Sequence, residues 1–328
     1  MTDLREKSPK IPSRPHYSAG QLAFAAVSVF SLTLILRNSE IAIRQMARGL
    51  SLCVTTVIPS LFPFMILSEL IVASGTANVV GRLLAKPFRW LFGISGDGGC
   101  AILLGFFCGF PVGTRCALSL YDSGRIDEKE LSFLLSFCNT PSSAFLVNAV
   151  GISLFGDRSL GLLLYCVTLL SAALTGIVGS HLMGVRKRAA KPSPSSHTNA
   201  SRPNGISVFT DAVGSSALAM LRICAFVVFF SAFLGTLEHL VEGLALPQTL
   251  GALLVSFFEM TAGVSRAAAC PSPLGESIAA FAVGFSGLSV CFQMIGLCED
   301  RPVSFRPYLF AKLFQGLLCA LLLSLLRA

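Results

Sequence analysis

Long apolar segments separated by short polar loops dominate the pattern of this chain. Residues 1–18 are polar and basic and contain three prolines, so this stretch is predicted to be a disordered tail. The apolar run at 19–36 is just long enough to cross a bilayer core of about 30 Å. It ends at the polar segment Arg37-Asn-Ser-Glu40 without a small-residue cleavage site, which favours an uncleaved first transmembrane helix over a signal peptide.

The rest of the first half, up to residue 184, contains runs that can span a membrane and runs that cannot. The run at 98–121 is broken at Phe110-Pro-Val-Gly113. Each arm of about ten residues is too short to cross, so a re-entrant hairpin is predicted. Basic and bulky apolar residues mix at 79–94, which is typical of an interfacial helix. The other predicted elements are an interfacial helix at 41–49 and transmembrane helices at 50–74, 131–155 (interrupted at Asn139-Thr-Pro-Ser-Ser143) and 159–184.

A composition change at 185–206 marks the clearest boundary in the chain. Arg186-Lys-Arg188 leads there into a stretch rich in Pro, Ser and Asn, which predicts a flexible cytoplasmic linker between two halves. The second half, 207–328, repeats the alternation of long and broken apolar runs. It predicts transmembrane helices at 207–237, 275–298 and 307–327 and a second hairpin at 249–270.

The two predicted hairpins are related in sequence. Residues 105–117 match residues 256–268 at a constant offset of 151 positions, and Arg115 aligns with Arg266. Phe106, Phe107 and Ala117 are also identical to their counterparts. Each copy places one arginine and a break inside an apolar stretch. Repeated halves with broken helices are how secondary transporters build a binding site at the membrane midplane.

Composition and charge support a multi-pass membrane protein and set its orientation. Apolar residues make up 53% of the chain and charged residues 13%, and the mean hydropathy is +0.73. The net charge of +8 comes from basic residues in short loops, so no nucleic-acid partner is expected. With a cytoplasmic N-terminus and non-crossing hairpins, sixteen of the twenty-five Lys and Arg lie on the cytoplasmic side and five on the other.

This orientation makes the two halves antiparallel. The span at 50–74 runs inward and its counterpart at 207–237 runs outward, so the hairpins enter from opposite sides. The predicted fold class is therefore an all-α polytopic membrane protein with two inverted repeats, each containing a re-entrant helical hairpin and broken helices.

Arg115 and Arg266 are the strongest candidates for substrate contact. Burying an arginine at membrane depth costs about 2.5–3.5 kcal/mol on insertion scales, so a function or a partner is expected. Each lies near the start of a second half-helix, where the helix dipole favours anions, and a guanidinium matches a carboxylate with two donors. Alternatively, both arginines pair with internal acids such as Glu69 or Glu259, or extend to the interface.

Other polar residues at membrane depth extend the candidate site. Glu69 and Glu259 are candidates for ion coupling or gating, with a structural ion pair as the alternative. Small and polar residues at the breaks are candidates for substrate binding, although Ser and Gly also let helices pack closely in lipid. These residues are Gly113, Asn139, Thr140, Ser142, Ser286 and Ser289.

Catalytic and metal-binding patterns are absent from the sequence. The eleven cysteines form no CxxC motif, and the four histidines lie in tails, the linker or a helix end. No Ser/His/Asp grouping, HExxH motif or phosphate-binding loop is present. We therefore expect no enzyme activity, no metal and no cofactor.

Several motifs resemble the sporulation integral membrane protein family called YlbJ or SpoVV. They run from Gly49-Leu-Ser-Leu52 and Val57-Ile-Pro-Ser-Leu-Phe-Pro-Phe64 through Leu67-Ser-Glu-Leu70 and Gly105-Phe-Phe-Cys-Gly-Phe-Pro-Val-Gly113 to Ser136-Phe-Cys-Asn-Thr-Pro141 and Gly284-Phe-Ser-Gly-Leu-Ser289. The family carries the nucleoside-recognition Gate domain, so the resemblance implies a fold similar to concentrative nucleoside transporters.

The resemblance also implies a function, a substrate and a location. It implies transport of dipicolinic acid, a small aromatic dicarboxylate, from the mother cell across the outer forespore membrane. The alternatives are transport of a nucleoside or another small solute, and a non-transporting sporulation scaffold. The expected partners are a small anionic substrate, the lipid bilayer and, by analogy with nucleoside carriers, further copies of the chain. The expected location is the cell membrane or the outer forespore membrane.

Overall fold

The computed structural model describes residues 19–74, 76–184, 205–243, 246–299 and 301–327. The predicted tail at 1–18 and nearly all of the predicted linker at 185–206 lie outside the described residues. Within these ranges every regular element is a helix. Four helices in this part of the chain are long and apolar enough to cross a membrane, or up to six if each of two bent helix pairs is one span. The prediction of an all-α polytopic membrane protein is confirmed.

The described residues of the first half form eight α-helices and two π-helical segments. Two of the breaks between them, after α5 and after α7, carry Gly or Pro where the helix stops. The elements are α1 (Ala19–Arg37), α2 (Ser39–Leu52), a π turn (Cys53–Val57), α3 (Ile58–Ala73), α4 (Thr76–Phe92), α5 (Gly96–Cys108), α6 (Val112–Asp122), α7 (Glu128–Phe137), a π-helix (Phe145–Leu154) and α8 (Arg158–Leu182).

In the second half, the residues that the structure describes form six α-helices. These are α9 (Gly205–Gly243), α10 (Gln248–Phe258), α11 (Met260–Ala268), α12 (Leu274–Phe285), α13 (Gly287–Cys298) and α14 (Phe305–Arg327). Together α12 and α13 form the most enclosed of the candidate spans. Of the most apolar stretch of this span 83% is buried, against 28% for α14. This span is interrupted at Ser286, which has φ of 70°.

The structure shows no interruption at Gly49, between the predicted interfacial helix and the predicted span. The sequence predicts an interfacial helix at 41–49 and a span that begins at 50, but α2 continues to Leu52 and passes into the π turn. Gly49 lies within this helix and is a packing contact: a Cβ there would meet the side chain of Ser231 and the backbone of Val228 on α9. The sharp change of direction lies earlier, where the segments on either side of Asn38 meet at 98°.

The first hairpin, α5 and α6, is held closed by glycines. Gly109 ends α5 with φ of 82°, and α6 begins at Val112. A Cβ on Gly113 would lie 2.8 Å from the Cα of Gly105, so the two arms touch through their backbones. A Cβ on Gly105 would overlap the carbonyl oxygen of Cys138, just after α7. The hairpin and the following break therefore form one packed unit.

The second hairpin, α10 and α11, closes by a different device. Its break is a single extended residue, Glu259, whose carboxylate accepts hydrogen bonds from the backbone N–H groups of Thr261 (2.9 Å) and Ala262 (2.6 Å). The arms touch where Gly263 packs on Ser256. The break thus satisfies the start of α11 with its own side chain.

Glu130 anchors the start of the first hairpin from α7. Its Oε1 accepts hydrogen bonds from the backbone N–H (2.9 Å) and the hydroxyl (2.5 Å) of Ser95, the residue that caps α5. Burial raises the pKa of Glu130 to about 7, although the hydrogen bonds from Ser95 act in the opposite direction. The folded protein therefore binds a proton at this carboxyl more tightly than an exposed glutamate does.

Substituting Gly105 with Ala should destabilise the protein, because the new methyl group overlaps the Cys138 carbonyl. We expect a loss of about 1–3 kcal/mol. Gly214→Ala is the matched control, since a Cβ there meets nothing within 4 Å and Ala favours a helix by up to about 1 kcal/mol. Thermal unfolding of the purified protein in detergent measures both. Equal effects of the two substitutions would contradict the packing described for Gly105.

The Glu130 carboxyl should make stability fall as pH rises. Because its folded pKa lies above the value of an exposed glutamate, its contribution is greatest below about pH 4.5 and is lost as pH rises to about 7. Glu130→Gln should remove this part of the pH dependence, while Glu128→Gln, an exposed position in the same helical turn, should keep it. Melting temperatures between pH 5 and 8 test this, and parallel curves for wild type and Glu130→Gln would refute it.

Candidate functional site

The polar residues of the first-half break bind to the first hairpin. Asn139 Oδ1 accepts hydrogen bonds from the backbone N–H (3.0 Å) and hydroxyl (2.9 Å) of Thr114 on α6. Its amide nitrogen donates to the carbonyl of Leu135 (3.3 Å), and the Thr140 hydroxyl donates to the carbonyl of Gly105 (3.3 Å). The side chains of Asn139 and Thr140 thus serve to dock the hairpin against the break.

Gly113 and Ser142 also have structural partners. Gly113 lies against Gly105, as described above, and Ser142 Oγ accepts a hydrogen bond from the backbone N–H of Phe145 (3.3 Å), the first residue of the π-helix. Gly109 approaches Ser142 so closely that a Cβ would lie 2.7 Å from its backbone nitrogen. Their substrate role stays a prediction.

In the second half, Ser286 and Ser289 differ in where they lie. Ser286 is fully buried at the break between α12 and α13, and its hydroxyl donates to the carbonyl of Val283 (3.4 Å). Ser289 accepts a hydrogen bond from the Gln293 amide (3.2 Å), and both residues line a cavity.

This cavity, called the tip cavity below, lies between the breaks of the two hairpins. Its volume is about 380 Å³, within the range of small-molecule sites. Phe110 and Pro111 line it from the first hairpin, and Glu259 to Ala262 from the second. Ser289 and Gln293 contribute polar atoms from α13, and Glu238 contributes a carboxylate from α9.

Arg266 pairs with an acid other than those the sequence suggested. Its Nε lies 3.3 Å from Oε1 of Glu238 on α9. Glu259, the candidate partner from sequence, instead caps α11. Glu238 lines the tip cavity and Arg266 does not. Arg266 therefore pairs with a carboxylate of the cavity wall without lining the cavity itself.

Arg115 pairs with Glu69, the acid that the sequence alternative named. Its Nη2 donates to Oε1 of Glu69 on α3 and to the hydroxyl of Ser215 on α9 (3.2 Å). The side chains are 12% and 19% exposed, so the pair is largely screened from water. Arg115 Nε is buried and has no hydrogen-bond partner. The edge of the guanidinium formed by Nε and Nη2 therefore uses only one of its two donors.

Arg115 opens onto a second cavity of about 630 Å³, called the arginine cavity below. Among the described residues, three arginines and three carboxylates line it. They are Arg115, Arg222, Arg301, Glu69, Asp122 and Glu299. The tip cavity and the arginine cavity share no lining residue, and Arg266 lines neither of them. The structure thus places Arg115 and Arg266 apart, each with its own acid.

Ion pairs across the arginine cavity join the two halves. Arg301 Nε and Nη2 donate to the two carboxylate oxygens of Asp122, at 2.8 and 2.6 Å, and these hydrogen bonds raise the pKa of Arg301. Arg222 pairs with Glu299, which also lies 3.6 Å from Arg301. Asp122 ends α6 and Arg301 follows α13, so this network links the first hairpin to the second half.

Sequence analysis did not single out Lys312. This residue is fully buried in α14, and its ammonium donates to the carbonyl of Asn139 (2.8 Å) and to Oε1 of Gln315 (2.9 Å). The signal available in the sequence is a single lysine inside the apolar run at 307–327. Within the ranges that the structure describes, no cluster of three or more His, Cys, Asp or Glu could hold a metal ion.

Comparisons with known proteins match both the first half and the chain as a whole. Residues 54–158 match the Gate family model, described as nucleoside recognition. The chain is 30% identical over 336 residues to the sporulation integral membrane protein YlbJ of Bacillus subtilis (strain 168), covering 93% of this chain and 82% of that protein. No solved structure matches the chain.

Proposed function

The chain belongs to the YlbJ family of sporulation integral membrane proteins, and we propose that it is a secondary transporter that carries a small organic anion across a membrane during spore formation. The substrate that the sequence resemblance implies is dipicolinic acid, exported from the mother cell across the outer forespore membrane. A site for this substrate needs positive groups for its carboxylates and space for a small aromatic ring.

The half-used edge of Arg115 is the observation that carries this proposal. Nε and Nη2 form one side of a guanidinium, the side that grips both oxygens of a carboxylate. Arg301 makes this bidentate contact in the same cavity, with Nε and Nη2 bound to the two carboxylate oxygens of Asp122. Arg115 gives Glu69 only Nη2 and leaves Nε unpartnered. A substrate carboxylate that took both donors would bind better than Glu69 does.

Glu69 then acts as an exchangeable partner. In the absence of substrate it neutralises Arg115, which would otherwise be a buried, uncompensated charge. When a substrate carboxylate arrives, it replaces Glu69 on the guanidinium, so the arginine is never left unpaired. Of the roles predicted for Glu69, which are ion coupling, gating and a structural ion pair, this one is gating.

The membrane potential supplies a driving force for export of an anion. Moving one charge through 100 mV is worth about 2.3 kcal/mol, so a dianion leaving an inside-negative compartment gains about 4.6 kcal/mol. In the predicted topology, the segments that carry Asp122 and Arg301 face the cytoplasm. The arginine cavity is thus the side from which the mother-cell solute enters.

The tip cavity supports a second candidate function, transport of a neutral polar solute such as a nucleoside. It lies between the two hairpin breaks, and none of the described residues that line it is a lysine or arginine. Its carboxylates, Glu238 and Glu259, disfavour a dianion. The Gate match is consistent with such a solute.

Replacing Arg115 with Gln should abolish most anion transport. We expect uptake of labelled dipicolinate into proteoliposomes, under an imposed potential and at low substrate, to fall roughly 10- to 100-fold, the effect of about 1.5–3 kcal/mol lost with a charged hydrogen bond. Arg125→Gln is the matched control: Arg125 is 15% exposed, pairs with Asp97 at 2.9 Å and does not line the cavity.

The outcomes of this assay separate the candidates. Loss in Arg115→Gln with wild-type uptake in Arg125→Gln supports the anion carrier. Saturable uptake of a nucleoside but not of dipicolinate by the wild type would favour the tip cavity. No uptake of either solute by protein of demonstrated fold would favour a non-transporting scaffold.

Replacing Glu69 with Gln should increase the affinity for the substrate, because it removes the negative charge that competes for Arg115. The expected result is a several-fold lower KM for dipicolinate uptake. Asp97→Asn, which removes the carboxylate partner of Arg125, is the matched control and should leave KM unchanged. A higher KM in Glu69→Gln would show that the carboxylate supports the site rather than competing for it.

A further inference from the structure

Lys312 is a fully buried cation in the interior of the structure. It lies in α14 about 10 Å along the helix axis from its first residue. The ion pairs of the described residues do not include it. A charge buried without a carboxylate has to find its compensation in dipoles.

Two oxygen atoms provide that compensation, and both are parts of neutral groups. The Asn139 carbonyl, just past the C-terminus of α7, lies 2.8 Å from Nζ, and the Gln315 side-chain oxygen lies 2.9 Å away. Gln315 turns its oxygen to the ammonium although its own amide nitrogen, also buried, is left without a hydrogen-bond partner. The side chains are therefore arranged to present oxygen to a positive charge.

This ligand set is the kind that membrane proteins offer to a small monovalent cation. Unwound backbone carbonyls and the C-terminal ends of half-helices, where the helix dipole is negative, coordinate such ions at broken helices. Here the carbonyl at the first-half break accepts a hydrogen bond from an ammonium on α14, the last helix of the second half.

The break also connects this charge to the first hairpin. Asn139 receives the ammonium on its backbone oxygen and the backbone N–H and hydroxyl of Thr114 on its side-chain oxygen. Thr114 precedes Arg115 on α6. The positive charge at Lys312 therefore fixes the residue that positions the start of α6.

We propose that Lys312 is a tethered cation that occupies a monovalent-cation site at this break, so that the fold carries its own charge there and binds no Na⁺ or K⁺ at that position. The proposal goes beyond the proposed function, because it concerns the charge at the break and not the solute. Removing the side chain should expose a site for a free cation of similar size, such as an alkylammonium ion.

The test is thermal unfolding of the full-length protein in detergent, which does not depend on transport. The wild type should melt at the same temperature in Na⁺, K⁺ and N-methylglucamine chloride. Lys312→Ala should melt lower and recover in a saturable way, by about 2 °C or more, on addition of n-propylammonium, which replaces the three carbons and the nitrogen that were removed. Propanol, the neutral analogue, should not restore it.

Lys312→Met controls for packing, because it fills the space without a charge. It should melt below the wild type and show no recovery with n-propylammonium. Wild-type stability of Lys312→Met in N-methylglucamine would overturn the proposal, since the charge would then be dispensable. A rise in the melting temperature of the wild type with Na⁺ or K⁺ would also overturn it, and this measurement decides the question even if neither variant folds.

Discussion

The structure depends on satisfying the backbone at two neighbouring breaks in the first half. Inside a bilayer, water cannot bond to the free N–H and C=O groups of an interrupted helix, so protein groups must do so. The break of the first hairpin and the break after α7 solve this together: the Phe110 N–H donates to the Thr140 carbonyl (2.9 Å), and Asn139 bonds Thr114 and Lys312. Polar residues that the sequence suggests as substrate ligands therefore form the hydrogen bonds that connect the two breaks.

The sequence repeat does not produce two equivalent sites. At the shared offset, Glu259 of the second hairpin aligns with Cys108 of the first. The second hairpin therefore caps α11 with its own carboxylate, whereas the N-cap residue of α6, Pro111, makes no side-chain capping hydrogen bond and Asn139 supplies one from outside. The two arginines differ accordingly, since Arg115 meets Glu69 on α3 and Arg266 meets Glu238 on α9. The two hairpins therefore have different partners although their local sequences are similar.

The sequence allowed prediction of features with local causes. The breaks near Pro111 and Asn139 follow from Gly, Pro and polar residues inside apolar runs, and the structure interrupts its helices there. Partners distant in the chain could not be predicted in this way: Asp122 and Arg301 are 179 residues apart, and Asn139 and Lys312 are 173 apart. Such pairs depend on how whole helices pack, which no local pattern encodes. The contact of Gly49 with α9 is of the same kind.

The contacts also limit how the first hairpin can move. Arg115 follows Thr114, which is bonded to Asn139, which in turn holds Lys312 of the second half. At the other end of α6, Asp122 is held by Arg301. If the first hairpin moves to pass a solute, it must either break both connections or carry the α7 break and α14 with it. Because the Asn139 connection is buried and the Asp122 pair is partly exposed, opening at the Asp122 end costs less, and the hairpin would pivot about its tip.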